Sequence, residues 1–337
     1  MEITRKRKKQ WTNILMDMEN VVAVGVGYKV TKGKKTDKLS VIVSVKKKVS
    51  ENELLGKDVV PKILNDVPTD IIETGNFVAY QDVIRGTSTD RWRPAPGGVS
   101  IGHKDITAGT LGCLVEKNGE IFILSNNHVL ANSNDATIGD AILQPGPYDG
   151  GGSTDQIAVL HDFIPIQFEG VDLPPNCDIA SETVKFLNFC ARLLGSKVRV
   201  KAYRPLEGPN VIDAAIAKPL SNTDVTSEIN GIGRPTGSRT PALGDHITKS
   251  GRTTGVSSGT IDQVDVTVTV QYGTLKLAIF EDQFISTINS DGGDSGSSIL
   301  DDDRKIVGLL FAGGDGSTVM SSIDYALEGF GVQVYTG

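Results

Sequence analysis

The sequence predicts a mainly β protein whose front end is a small α/β unit. From about residue 99 onward, short runs of β-branched and apolar residues alternate with Gly, Asn and Asp punctuation. That spacing suggests a sandwich or barrel. Glycine is abundant, at 38 of 337 residues, as a fold with many turns requires. Residues 1–85 differ, with a helix-period segment followed by a few strand-like runs.

In chain order, residues 5–19 are charged but carry Trp11, Ile14, Leu15 and Met18 at helical spacing. Residues 20–28 read as a strand whose glycines suggest the close approach of another backbone. A turn over 32–36 leads to a second strand over 39–45, and Ser50 opens a short capped helix. Residues 67–73 read as extended. No catalytic constellation lies in this unit. It is either a folding domain or a regulatory, substrate-recruiting or assembly module, and a homo-oligomer could form through it. Residues 86–98 are rich in turn formers and read as a linker to a second domain over 99–337. There, runs over 108–115 and 121–124 flank an Asn118-Gly119 turn, a hairpin signal. One insertion, near 178–195, breaks the β pattern. Ile179, Thr183, Phe186, Leu187, Cys190, Leu193 and Leu194 share a helical face, between an Asp178 N-cap and Gly195.

Composition narrows the function classes. Hydrophobic content is 39% and charged content 22%, enough for a packed core. A net charge of −7 argues against nucleic acid as the main partner. The basic run Arg5–Lys9 is a local exception and reads as a solvated helix start. Cys113, Cys177 and Cys190 form no Cys-x-x-Cys pair and no disulfide framework, and no metal-ligand spacing occurs. No cofactor or metal is expected. The N-terminus lacks an apolar leader, and no apolar run is long enough to span a bilayer. A cytoplasmic protein without a membrane partner is the expectation.

The chemistry centres on Gly293-Asp294-Ser295-Gly296. A serine hydroxyl needs a neighbouring base and a place for the developing oxyanion. Flanking glycines clear Cβ atoms from the path of a substrate carbonyl, and the N–H groups of Gly293 and Ser295 could share one oxygen. The plainer reading of the same residues is a surface turn. Among the four histidines, His128 stands in a short polar turn at the exit of a strand, Ser125-Asn-Asn-His128. It is the candidate base. Asp213, a single carboxylate inside the apolar run 211–217, needs a partner, and a histidine N–H is a good one. Asp178 is its rival, but a helix cap already accounts for Asp178.

The order His128, Asp213, Ser295 on a β-rich chain resembles the trypsin-like, chymotrypsin-fold serine peptidases. Lys249-Ser-Gly-Arg-Thr-Thr-Gly255 is similar to the segment that opens the second barrel in bacterial α-lytic and streptogrisin-type members. The run 306–314 resembles their substrate-pairing strand. The likeness spans roughly residues 95–330. The whole chain is similar to a group of bacterial trypsin-like proteins and, more distantly, to the plant narrow-leaf protease.

This resemblance implies a chymotrypsin-like double β-barrel, mainly β, and a serine endopeptidase acting on protein or peptide substrates. Ser295 would be the nucleophile, His128 the base and acid, and Asp213 its orienting carboxylate. Gly293 and Ser295 would form the oxyanion hole, with Asp294 a buried anchor of the loop. Asn289, Ala312 and Gly313 would line the substrate pocket, and a neutral Asn289 implies no demand for Lys or Arg there. Val129 replaces the family's usual cysteine, which leaves Cys113 without its disulfide partner and fits a reducing compartment. Ser297 stands where many members have glycine, and no counterpart of the activating Ile-Val terminus occurs. The alternatives are a catalytically silent scaffold of the same fold used for binding, or an oligomeric regulator built on the N-terminal unit.

Overall fold

Two curled β sheets carry most of the chain in the computed structural model, which describes residues 1–31, 33–79, 87–169, 209–273, 276–314 and 316–337, with 183, 184 and 187 between. The helix expected over 178–195 lies outside these residues. The first sheet has eight strands, with Cys113–Lys117, Glu120–Ser125, Ala215–Pro219 and Gln156–Phe163 at its centre. The Asn118-Gly119 hairpin forms, with Glu120 opposite Lys117 and both turn residues at positive φ. Val99, Ile101, Leu111, Ile123, Ile142, Ile157 and Leu160 fill the interior.

The second sheet closes on itself. His246–Gly251 pairs with Ser298–Asp301, and Lys305–Gly314, Ser317–Ser322, Lys276–Ser286 and Gly255–Tyr272 follow. Gly255–Tyr272 then pairs back onto His246–Gly251. Val264, Val266, Val268, Val270 and Tyr272 are all buried along one strand, as are Gln263 and Thr267, where the ladder to Lys276–Ser286 shifts register. The chymotrypsin-like double-barrel expectation holds. Between the barrels, Phe122 and Leu124 of the first pack with Ile212, Leu300, Ile306 and Leu309.

The N-terminal residues build onto the second barrel. Helix Glu2–Met16 covers a hairpin of Val21–Thr31 and Lys34–Val45, beside which Val67–Glu73 runs parallel. Strand Val21–Thr31 also pairs antiparallel with Gly255–Tyr272, matching Val24 to Thr267 and Gly27 to Gln263. Here the glycine expectation is met, since a Cβ on Gly27 would stand 2.5 Å from the Asp262 carbonyl. The helix faces differently from its apolar spacing. Ile14 is 53% exposed, whereas Lys8 is buried. Lys8 Nζ donates to Thr267 Oγ1 at 2.9 Å and lies 3.8 Å from Asp265, so its charge is compensated underneath the helix. Burial still pulls the Lys8 pKa below its usual value. Residues 51–58 form two 3₁₀ turns instead of one short helix. The stretch after residue 86 is well packed: Ala95–Gly97 is a buried strand paired parallel with Val225–Ile229.

Candidate active site

His128 sits on the one-turn helix Asn127–Leu130, directly after strand Glu120–Ser125. The turn is held from both sides. Asn126 Nδ2 donates to the Asp213 carbonyl at 2.8 Å, and Asn127 Nδ2 donates to the Ile164 carbonyl at 2.8 Å. His128 and Asp213 meet twice. The backbone N–H of His128 donates to Asp213 Oδ1 at 3.2 Å, and its Nδ1 lies 2.6 Å from Oδ2. A carboxylate only accepts, so Nδ1 carries the proton and Nε2 presents its lone pair. That Nε2 is buried and has no hydrogen-bond partner among the described residues.

Asp213 is fully buried and has a third donor that sequence reasoning missed. Tyr272, at the end of its barrel strand, donates its hydroxyl to Asp213 Oδ2 at 2.8 Å and meets the His128 ring edge-on at 5.7 Å. Burial, with Asp213 beside it, raises the Tyr272 pKa well above the usual value, so the hydroxyl keeps its proton and donates. Nothing in the sequence marks Tyr272 apart from the alternation that buries it.

Ser295 lies in the turn before Ser298–Asp301. Its Oγ donates to the Phe311 carbonyl at 3.4 Å, a long contact, and no hydrogen bond joins it to His128. The turn is fixed by Thr110, whose Oγ1 donates to the Gly293 carbonyl at 2.7 Å and whose N–H donates to the Ser295 carbonyl at 2.8 Å. Gly293 and Gly296 both have φ near +94°, where glycine is favoured. A side chain at Gly296 would collide with Ser125 Oγ and the Thr110 carbonyl. The N–H groups of Gly293 and Ser295 donate to no acceptor among the described residues.

Asp294, between them, is fully buried and saturated with donors. Its Oδ1 accepts from the N–H groups of Thr253 and Thr254 at 2.8 and 3.1 Å. Its Oδ2 accepts from Thr254 Oγ1, the Asp291 N–H and Lys249 Nζ at 2.6, 3.0 and 3.0 Å. Lys249 is wholly buried, and burial lowers its pKa while Asp294 pulls it back up. The Lys249-Ser-Gly-Arg-Thr-Thr-Gly255 motif therefore delivers an internal ammonium to the turn that carries Ser295. From the same motif, Arg252 grips Asp149 with Nε at 2.8 Å from Oδ2 and a second bond from Nη2, joining the two barrels beside Gly293. Ser297 is accommodated, its Oγ donating to the Asp294 carbonyl at 2.6 Å.

The remaining site candidates are placed as follows. Ala312 and Gly313 are buried on Lys305–Gly314, following Phe311. Asn289 is exposed, and its carbonyl accepts from Ser257 Oγ at 2.8 Å. Cys113 is a buried free thiol whose pKa burial pushes up to about 11. Cys177, Cys190 and Asp178 lie outside the described residues. Among the described residues, no helix is long and apolar enough to cross a membrane.

Residues 195–327 match the Trypsin family model. The matched segment contains Asp213 and Ser295, and His128 precedes it. No curated protein matches the chain. Solved structures with similar shape include Thermobifida fusca protease A, at 19% identity over 72% of this chain and 100% of that one, with a TM-score of 0.46. A Nocardiopsis protease aligns at 18% identity over the same shares, with a TM-score of 0.45. Cellulomonas bogoriensis chymotrypsin aligns at 16% identity over 72% and 98%, with a TM-score of 0.43.

Proposed function

We propose that this protein is a serine endopeptidase, with Ser295 as nucleophile, His128 as general base and acid, and Asp213 as orienting carboxylate. The observation that carries the reading is the buried His128–Asp213 pair, which leaves Nε2 as a free acceptor on the base. Ser295 Oγ attacks the scissile carbonyl carbon as His128 Nε2 takes its proton. The carbonyl oxygen becomes an oxyanion, and the unpaired Gly293 and Ser295 N–H groups are its donors. The imidazolium then protonates the leaving amine, the C–N bond breaks, and an acyl-Ser295 ester remains. Water, deprotonated by Nε2, hydrolyses that ester and restores the serine. Asp213 holds the productive tautomer throughout, and Tyr272 positions Asp213. Lys249 takes the part of a permanent counter-ion for Asp294, so no newly cut N-terminus is needed to set the turn.

The silent-scaffold reading is favoured by one observation: Ser295 Oγ bonds to Phe311 rather than to His128 Nε2. Apo catalytic hydrogen bonds are often long, so this contact alone does not decide. Prolonged incubation with a fluorophosphonate, read by intact and peptide mass spectrometry, separates the two. A phosphonyl adduct on Ser295, absent in Ser295→Ala and in His128→Ala, supports the enzyme. A folded wild type that neither takes the label nor hydrolyses any member of a peptide library supports the scaffold.

A further inference from the structure

The sheet edge beside Ser295 is already occupied by the protein's own chain. Gly313 pairs with Thr318 on one side of its strand, so a second partner must lie on the other side. That partner is Val78, of the short strand Phe77–Ala79, which runs antiparallel to Lys305–Gly314. The same three residues pair in parallel with Val270, Gln271 and Tyr272. Phe77 is 1% exposed and packs among Val270, Tyr272, Phe280, Phe311 and Ala312. A Cβ on Gly314 would stand 2.5 Å from the Thr74 carbonyl, so the segment leading into Phe77 is pressed closely against this strand.

The direction of the strand matters. Because the pairing is antiparallel, Phe77–Ala79 passes Gly313 in the direction of Ala312 and Phe311, and the Phe311 carbonyl contacts Ser295 Oγ. An extended peptide presented to a nucleophile at a sheet edge binds by backbone ladder bonds to that edge. Here the ladder position at Gly313 is filled by Val78. The reacting groups are also closed to solvent, with Ser295 1% and His128 8% exposed.

We propose that Phe77–Ala79 is an intramolecular peptide ligand of the edge at Gly313, so that the folded chain holds itself inhibited and a substrate enters by displacing it. The proposal rests on the endopeptidase reading for its regulatory meaning, but the docking itself can be measured without catalysis. A tethered ligand works at an effective concentration of about millimolar. A free peptide must exceed that, or bind better than the sequence Phe-Val-Ala, to take the edge. The favoured ligand is an extended peptide with an aromatic side chain in the place of Phe77.

Two variants vacate the edge. Val78→Pro removes a ladder donor and disfavours a mid-sheet strand, and Phe77→Ala removes the buried anchor. Both are first checked by thermal melting, and either one suffices. In a Ser295→Ala background, a fluorescein-labelled peptide of residues 74–79 is titrated by anisotropy. The expected result is at least tenfold tighter binding to the vacated variants than to the parent. With Ser295 intact, the variants should hydrolyse a hexapeptide library at least tenfold faster in kcat/KM, and the 74–79 peptide should raise their KM without lowering kcat. Equal or absent peptide binding in folded variants overturns the proposal, as does unchanged or reduced kcat/KM in an enzyme that turns over, which would make the strand a fixed wall of the site. Tighter binding with no turnover in any chain keeps the docked ligand and overturns the endopeptidase reading instead.

Discussion

Replacing Lys249 by Met probes how the turn that carries Ser295 is held. The change removes a fully buried ammonium from Asp294 Oδ2 at 3.0 Å while keeping most of the side-chain volume. Breaking a buried ion pair by deleting one partner costs about 3–5 kcal/mol, because the other charge stays buried. Asp294 keeps four neutral donors, from Thr253, Thr254 (twice) and Asp291. The expected cost therefore sits at the low end, about 3 kcal/mol. At roughly 2–3 °C per kcal/mol for a chain of this size, the melting temperature should fall by about 6–9 °C. Calorimetry and urea unfolding measure it. The double variant Lys249→Met/Asp294→Asn should recover part of the loss, since no unpaired charge remains. Hydrolysis by the surviving folded fraction should lose kcat, as Asp294 connects Gly293 to Ser295. A loss under about 1 kcal/mol, or a double variant as unstable as the two single losses added, would refute the idea that this ammonium anchors the turn.

Ser295→Ala and His128→Ala should each remove nearly all turnover, with the double variant no worse than either, and Asp213→Asn should cost roughly 10⁴-fold in kcat with the melting curve kept. Tyr272→Phe deletes a hydrogen bond to a carboxylate worth about 1.5–3 kcal/mol, so kcat should drop about 10- to 100-fold with KM little changed. An unchanged kcat would remove Tyr272 from the site. In a peptide-library digest, cleavage should not demand Lys or Arg before the cut bond, given the neutral Asn289. Strict basic selectivity would mean that a carboxylate lines the pocket. Asp140 is held down to about 2 from 3.8, chiefly by the Thr137 N–H, with His103 and Lys104 adding to it. A depressed carboxyl contributes stability that is present above its unfolded value and lost as pH falls through its folded one. The gap in melting temperature between wild type and Asp140→Asn should accordingly be constant at neutral pH and close between pH 3.8 and 2. A gap that persists at pH 2 would contradict this.

What could be read in the sequence was what is local. The Asn118-Gly119 hairpin and the close backbone approach at Gly27 each depend on a few adjacent residues, and the structure has both. The contact between His128 and Asp213 was inferred from the cost of an unpaired buried carboxylate, which is general physics. The partners supplied by distant segments could not be read. Tyr272 reaches Asp213 only because a long strand ends over the first barrel. Lys8 looked solvated until Thr267 and Asp265 came beneath it. Phe77–Ala79 is too short to show a period, and its pairing depends on two strands about 200 residues further on.

Strand Val21–Thr31 emerges from the ribosome early, yet the residues that complete its outer ladder, 263–268, lie about 240 positions later. At synthesis rates of about 5–20 residues per second, that edge waits roughly 10–50 s for its partner. During this interval Lys34–Val45 can pair with one side only, and Val22, Ala23 and Val26, which end in cores shared with the second barrel, have nothing to bury against. Completion of this ladder thus waits for a distant segment, and the strand stays open to misassociation until that segment is made.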